Sequence, residues 1–144
     1  MYYGALEAGG TKMVCAIGDA DKNIIDRISI PTGTPEQSVP AMIDYFKKYD
    51  ISALGIGTFG PADINPNSPT YGSIMRSPKK DWEGFSLYKA FTDALGCLVV
   101  VDTDVNAAAW GEYLYGALKG LNSGMYLTVG TGIGGGIISD GRLI

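Results

Sequence analysis

Two glycine-rich turns, each set between a pair of short apolar runs, constrain the chain more than any other feature. The first reads Glu7-Ala8-Gly9-Gly10-Thr11-Lys12, between residues 2–6 and 13–17. The second reads Thr128-Val129-Gly130-Thr131-Gly132-Ile133-Gly134-Gly135-Gly136, between residues 125–127 and 137–139. Apolar runs this short on both sides of glycine predict two β-hairpins, not loops that open helices. Glycine also lets a ligand lie against bare N–H groups. Successive N–H groups in such turns form a concave anion site. Two of them in one chain read as two jaws around one polyphosphate.

Other readings of these turns fit less well. Gly4 and Gly9 have the separation of a P-loop, but Gly10-Thr11 stands where Gly-Lys-Thr is required, and a strand follows instead of a helix. Taken alone, Gly9-Gly10 is also an ordinary hairpin turn. Glu7 argues for more. A carboxylate beside an anion nest repels phosphate unless a divalent cation intervenes, and Mg²⁺ bridges carboxylate and phosphate in this way. Thr11 can donate its hydroxyl to phosphate. Gly130-x-Gly132-x-x-Gly135 matches a dinucleotide fingerprint formally, but that motif needs a following helix, and Gly136-Ile137-Ile138-Ser139 reads as strand.

The remaining elements follow from periodicity. Residues 2–8, 13–17 and 24–30 read as three strands, with Ile24, Ile28 and Ile30 expected on one face. Thr34-Pro35 with Gln37 is a capping-box helix start, with Val39, Ile43 and Phe46 on the buried face. Pro40 leaves the exact start open. Residues 53–59 form a fourth strand ending at Gly60-Pro61. Residues 62–84 make a long Pro-, Asn-, Ser- and Gly-rich connection of the kind that carries function. A helix over 86–95, a buried strand over 97–101 and a helix over 105–118 come next. The order β-β-β-α-β-α-β-α predicts an α/β, ribonuclease-H-like domain over residues 1–120. Residues 121–144 repeat the opening strand-turn-strand and read as the first hairpin of a second, similar domain. A lone hairpin is marginal in water, so it is expected to pack on the first domain, pair with another chain or fray.

Between the jaws, the strand over 97–101 delivers Asp102 and Asp104 to the mouth of a helix that begins Val105-Asn106-Ala107-Ala108-Ala109. Both aspartates could simply favour the helix start. With no histidine in the chain, acid–base chemistry would fall to carboxylates, Lys, Tyr or Cys. The triple alanine suits close packing against neighbouring backbone.

These pieces together resemble the sugar kinases of the ROK family, within the sugar kinase/Hsp70/actin superfamily, and above all their bacterial fructokinase branch. That branch reads EAGGTK, GIGxFGP, TDVNAAAxGE and TxGTGIGxG, and the chain carries all four in order. The resemblance implies ATP-dependent phosphorylation of a hexose, fructose to fructose 6-phosphate, with Asp104 as catalytic base. It implies a nucleotide-phosphate site at Gly9, Gly10, Thr11, Lys12, Thr128, Gly130, Thr131, Gly132 and Gly134. It puts Mg²⁺ at Glu7, where the wider family has Asp. Sugar contacts would come from Gly60, Pro61, Trp82, Thr103 and Asp104. Thr103 departs from the Asn that many members carry before the base, and Trp82 is equally readable as a core residue. Asp102 and Glu112 are expected to be structural. Family members run about twice this length, are expected to be homodimers and carry a structural zinc whose ligands lie beyond Ile144. Residues 1–144 alone are therefore expected to be a fragment without turnover.

Composition narrows the field in the same direction. The chain has 144 residues, the size of one domain, and 46% are hydrophobic, enough for a real core. It has no histidine, which excludes Ser-His-Asp and Cys-His catalysis. Net charge is −4 with no run of Lys or Arg, so no footprint for nucleic acid is expected. No apolar stretch reaches the roughly 18–20 residues of a membrane span, and Met1 leads directly into a strand, so a cytoplasmic protein is expected. Cys15 and Cys97 read as small buried hydrophobes in a reducing compartment. Two rivals stand beside the kinase: a ROK-type sugar-responsive repressor lacking its DNA-binding part, and a noncatalytic nucleotide- or sugar-binding fragment.

Overall fold

A computed structural model describes residues 1–130 and 132–144; Thr131 of the second turn lies outside the described residues. Among the described residues eight strands and three helices follow the chain: β1 (Tyr2–Ala8), β2 (Lys12–Asp19), β3 (Ile24–Pro31), α1 (Pro35–Phe46), β4 (Ile51–Thr58), α2 (Leu87–Leu95), β5 (Leu98–Thr103), α3 (Asp104–Tyr115), β6 (Gly124–Val129), β7 (Ile133–Ser139) and β8 (Arg142–Leu143). A single 3-10 turn occupies Lys80–Trp82. Five strands form one sheet in the order β3-β2-β1-β4-β5, and three form another in the order β6-β7-β8. In the large sheet β1–β2 and β2–β3 are antiparallel, while β1–β4 and β4–β5 are parallel. This is the α/β, ribonuclease-H-like topology.

One face of the large sheet carries the core. Leu6 and Ala8 of β1, Met13, Cys15 and Ile17 of β2, Leu54 and Ile56 of β4, and Val99 and Val101 of β5 are all buried. In β1 they alternate with exposed neighbours, as a period-2 strand facing a core on one side does, whereas in β2 and β4 the intervening Val14, Gly57 and Thr58 are buried as well. Helices α1 and α2 cover this face through Val39, Met42, Phe46, Leu87 and Phe91, with Phe46 and Phe91 edge-to-face at 6.1 Å. Cys15 is fully buried, and burial pushes its thiol pKa up to about 12. At neutral pH it is an inert thiol that packs as a hydrophobe. Both cysteines are free.

Two local expectations are corrected. Ile24 does not share the buried face of β3; it is 70% exposed. The register between β2 and β3 shifts at Ile17/Gly18, and an extra residue in one strand turns the residues beyond it off their face. Ile28 and Ile30 do pack on the core. In α1 the fully buried face runs through Val39, Met42 and Phe46, with Ile43 only partly buried beside it. Pro40 sits inside α1 without ending it. The Gln37 side chain accepts the Thr34 N–H at 3.1 Å, which fixes the helix start one residue later, at Pro35.

The long connection after β4 is ordered by its own hydrogen bonds. Asp63 accepts from the Ser68 and Thr70 hydroxyls and from the Asn65 N–H. The two hydroxyls hold its carboxyl below the usual carboxylate range. Bridges pair Ala62 with Ile74 and Ser73 with Ser86. Trp82 anchors the far end: it is 1% exposed and its indole N–H donates to the Gly33 carbonyl at 2.9 Å. Phe59 and Phe85 meet it edge-on.

The terminal hairpin packs on α3, with Ile138 buried. A short third strand, β8, extends it beyond what periodicity suggests. Among the described residues no helix is long and apolar enough to cross a membrane.

Candidate functional site

Strand register builds the site. Glu7 of β1 pairs with Gly57 of β4, and Gly57 pairs with Asp102 of β5. Residues paired across neighbouring strands point to the same face. Glu7 and Asp102 therefore stand on one face, two strand spacings or about 10 Å apart, with no side chain between them. That face is the one opposite the α1/α2 core.

Helix α3 starts immediately after β5 and lies over this gap. A Cβ on Gly57 would come within 2.9 Å of the Ala107 Cβ and 3.4 Å of the Asp104 Cα. The bare backbone of β4 is thus what lets the first turn of α3 sit so low. On its other side α3 meets the small sheet as closely: a Cβ on Gly136 would overlap the Val105 carbonyl and lie 2.8 Å from the Ala109 Cβ. Ala109 is fully buried. The alanine run serves close packing on both sides.

The helix start is fixed by three side chains. Thr103 is the N-cap and accepts the Asn106 N–H at 3.2 Å. Asp102 accepts the Thr103 N–H at 2.7 Å and the Asn106 side-chain amide at 2.8 Å. Asp104 accepts the Val105 N–H at 2.9 Å through Oδ1. Its Oδ2 has no partner among the described residues. At the far end of α3, Glu112 accepts the Ala117 N–H at 2.7 Å and closes the last turn.

Glu7, Asp102 and Asp104 line one cleft of about 740 Å³, together with Gly57, Ala108, Trp110, Tyr126 and Leu143. Its walls come from the large sheet, α3 and the small sheet. Three carboxylates on an otherwise apolar lining make a site that favours a cation or a hydroxyl donor. Among the described residues no three His, Cys, Asp or Glu side chains gather as a metal cage. A Mg²⁺ held by one carboxylate, waters and ligand oxygens does not need such a cage.

The two glycine turns flank this cleft in the chain. The first follows β1 directly, and three of its carbonyls are occupied: Gly9 accepts from the Thr32 hydroxyl at 2.7 Å, Thr11 from the Thr32 N–H at 3.0 Å, and Lys12 from the Gly9 N–H at 3.0 Å. The N–H groups of Gly10 and Thr11 have no partner among the described residues. Donors left open beside engaged acceptors are what an anion nest requires. The second turn closes through the Gly130 N–H on the Gly132 carbonyl at 2.9 Å, and Thr128 pairs with Gly134 at its root. A Cβ on Gly134 would lie 3.0 Å from Val105 Cγ1. The root of the second turn therefore rests on the residue after Asp104.

Among the expected sugar contacts, Gly60 and Pro61 lie just past β4, where the Pro61 carbonyl accepts the Met75 N–H at 2.8 Å. Of the two readings of Trp82, its burial favours the core one: 1% exposed, it acts as the buried anchor of the long loop. Tyr71, which periodicity leaves without a role, proves to be part of the scaffold. Its hydroxyl accepts the Val101 N–H at 2.7 Å and donates to the Val101 carbonyl at 3.0 Å, closing the free edge of β5 just before Asp102. Tyr71 and Val101 are 30 residues apart, so no local pattern announces the pair.

Known proteins are similar to this chain in sequence and in fold. The ROK family model matches residues 3–144. The fructokinase of Lactococcus lactis subsp. cremoris is 46% identical over 144 residues, covering 100% of this chain and 49% of that protein. The fructokinase of Pediococcus pentosaceus is 43% identical over 143 residues, covering 99% of this chain and 50% of that protein. Among solved structures, a ROK family glucokinase from Streptomyces griseus in complex with glucose and AMPPNP superimposes with a TM-score of 0.84 at 32% identity, covering 100% of this chain and 46% of that one. The chain spans about half the length of the relatives it matches. Sequence and fold agree: the chain belongs to the ROK family.

Proposed function

We propose that the protein transfers the γ-phosphoryl group of ATP to a hexose, with fructose as substrate and fructose 6-phosphate as product. The observation that carries this is the shared cleft of Glu7 and Asp104, flanked in sequence by two glycine hairpins. The names of similar relatives, fructokinases at 43% and 46% identity, favour fructose.

Asp104 is the base. Its Oδ1 is held by the Val105 N–H, which leaves Oδ2 to accept the proton of the attacking sugar hydroxyl. The first turn of α3 fixes its direction, and the Thr103 cap and the Asp102–Asn106 pair hold that turn. The open N–H groups of Gly10 and Thr11 donate to phosphate oxygens, and the second turn, closed by the Gly130 N–H on the Gly132 carbonyl and rooted at Gly134, forms the other jaw. Thr11 and Lys12 add a hydroxyl and a charge at the first. Glu7 would hold Mg²⁺, which when bound would supply charge neutralisation for the phosphates. Phosphoryl transfer needs mostly such positioning and electrostatic stabilisation. Thr103 contributes to the sugar site only through the position it gives Asp104.

The test is ADP release by the full-length polypeptide with fructose, glucose and mannose in turn, and by residues 1–144 alone. Fructose should support turnover on the order of 10 s⁻¹ in the full-length protein and at the highest kcat/KM. Residues 1–144 alone should bind nucleotide without turnover, because they enclose the cleft on too few sides to exclude water. Hexose-independent ADP release, or a preference for another hexose, overturns the assignment.

A further inference from the structure

We infer that Lys79 is a phosphate-contacting residue of this site, supplying the positive charge above the first glycine turn; the inference rests on the kinase reading just given. The long loop and the turn are far apart in sequence, yet a Cβ placed on Gly10 would lie 3.6 Å from Lys79 Cε. The ammonium group is one bond further along the chain. It therefore reaches the neighbourhood of the unpartnered Gly10 and Thr11 N–H groups.

The side chain is launched from a rigid base. The Lys79 N–H donates to Ser77 Oγ at 3.1 Å, and its carbonyl accepts the Trp82 N–H at 3.0 Å. Ser77 is 3% exposed and Trp82 is 1% exposed. The buried tryptophan thus gains a purpose: it fixes the loop whose exposed lysine faces the turn. Only the four-carbon stem is free to move.

Charge explains why a lysine belongs there. The nearby cleft presents Glu7, Asp102 and Asp104, so a triphosphate approaches an acidic surface. Lys12 brings one charge from the turn itself, while two lysines that follow Lys79 in the chain are committed elsewhere, Lys80 to Glu83 at 3.2 Å and Lys89 to Asp93 at 2.6 Å. Lys79 is in no ion pair among the described residues. A flexible ammonium acts as a point charge on phosphate without demanding a fixed fork geometry. It can follow the phosphoryl oxygens as charge redistributes in the transition state.

The test uses the full-length polypeptide as wild type, Lys79→Gln, Lys79→Arg and Lys80→Gln. Kinetics are measured with ATP and fructose varied separately, and inorganic tripolyphosphate binding is measured by calorimetry. Loss of one charged contact should lower kcat/KM for ATP and tripolyphosphate affinity about 10–100-fold in Lys79→Gln. The KM for fructose and the melting temperature should stay at wild-type values. Lys79→Arg should recover most of the loss, and Lys80→Gln should match wild type. Tripolyphosphate affinity unchanged in Lys79→Gln overturns the inference and leaves the kinase reading intact. So does a loss confined to the KM for fructose, which would make Lys79 a sugar contact. A wild-type protein that neither turns over a hexose nor binds tripolyphosphate overturns both.

Discussion

Asp104→Asn is expected to lower kcat for hexose phosphorylation about 10²–10⁴-fold, the usual cost of removing a general base. Fold and ligand binding should survive. Asparagine keeps a carbonyl oxygen that can still accept the Val105 N–H and still suits a helix start, so the melting temperature should hold. The KM for fructose should change little, because proton acceptance matters only as the bond forms. Asp102→Asn is the informative comparison. Asp102 lines the same cleft but spends one oxygen on the Thr103 N–H and the Asn106 amide. Its amide variant should lose less rate and more stability. Steady-state kinetics and thermal melts on the two variants separate base from brace. If Asp104→Asn retains a rate within a few-fold of wild type, Asp104 is not the base.

The second large effect is expected at Gly136, which no chemistry touches. An added Cβ would overlap the Val105 carbonyl, and a backbone carbonyl cannot rotate away as a side chain can. Helix α3 or strand β7 must shift. Overpacking of this kind costs about 1–3 kcal/mol, or about 4 °C of melting temperature per kcal/mol for a chain of this size. Val105 follows Asp104, so a displaced first turn also misaims the base. Gly136→Ala should therefore lose both stability and kcat. Gly55 is the control: it lines the same cleft, but its Cβ would meet open space. Gly55→Ala should melt like wild type. Equal melting temperatures for the two variants would mean that α3 does not depend on its approach to β7.

The parts of this molecule that were legible in the sequence are those specified locally. Glycine between short apolar runs specifies a hairpin, and both hairpins are present. Alternation specifies the strands, and the Thr34–Gln37 cap specifies the start of α1. The triple alanine promises a close approach, which Gly57 and Gly136 provide from two sides. What local pattern missed depends on contacts far along the chain. The exposure of Ile24 follows from a register shift between β2 and β3. The burial of Trp82 follows from a carbonyl 49 residues away. The placement of Tyr71 follows from the free edge of β5, and that of Lys79 from the fold of a loop with no period. Asp102 was legible as a helix-start residue, but its pairing with Glu7 across Gly57 emerges only once three strands are in register.

The central claim is that a hexose hydroxyl and the terminal phosphate of ATP meet between Asp104 and the first glycine turn. A crystal structure of the full-length protein with fructose and a non-hydrolysable ATP analogue tests it most directly. The account predicts the sugar 6-hydroxyl within hydrogen-bond reach of Asp104 Oδ2, about 2.6–3.2 Å, the terminal phosphate on the Gly10 and Thr11 N–H groups, and a metal ion on the Glu7 side. A sugar bound instead in the separate groove between the long loop and α2, lined by Tyr71, Tyr88 and Lys89, with Asp104 facing only solvent, would contradict it.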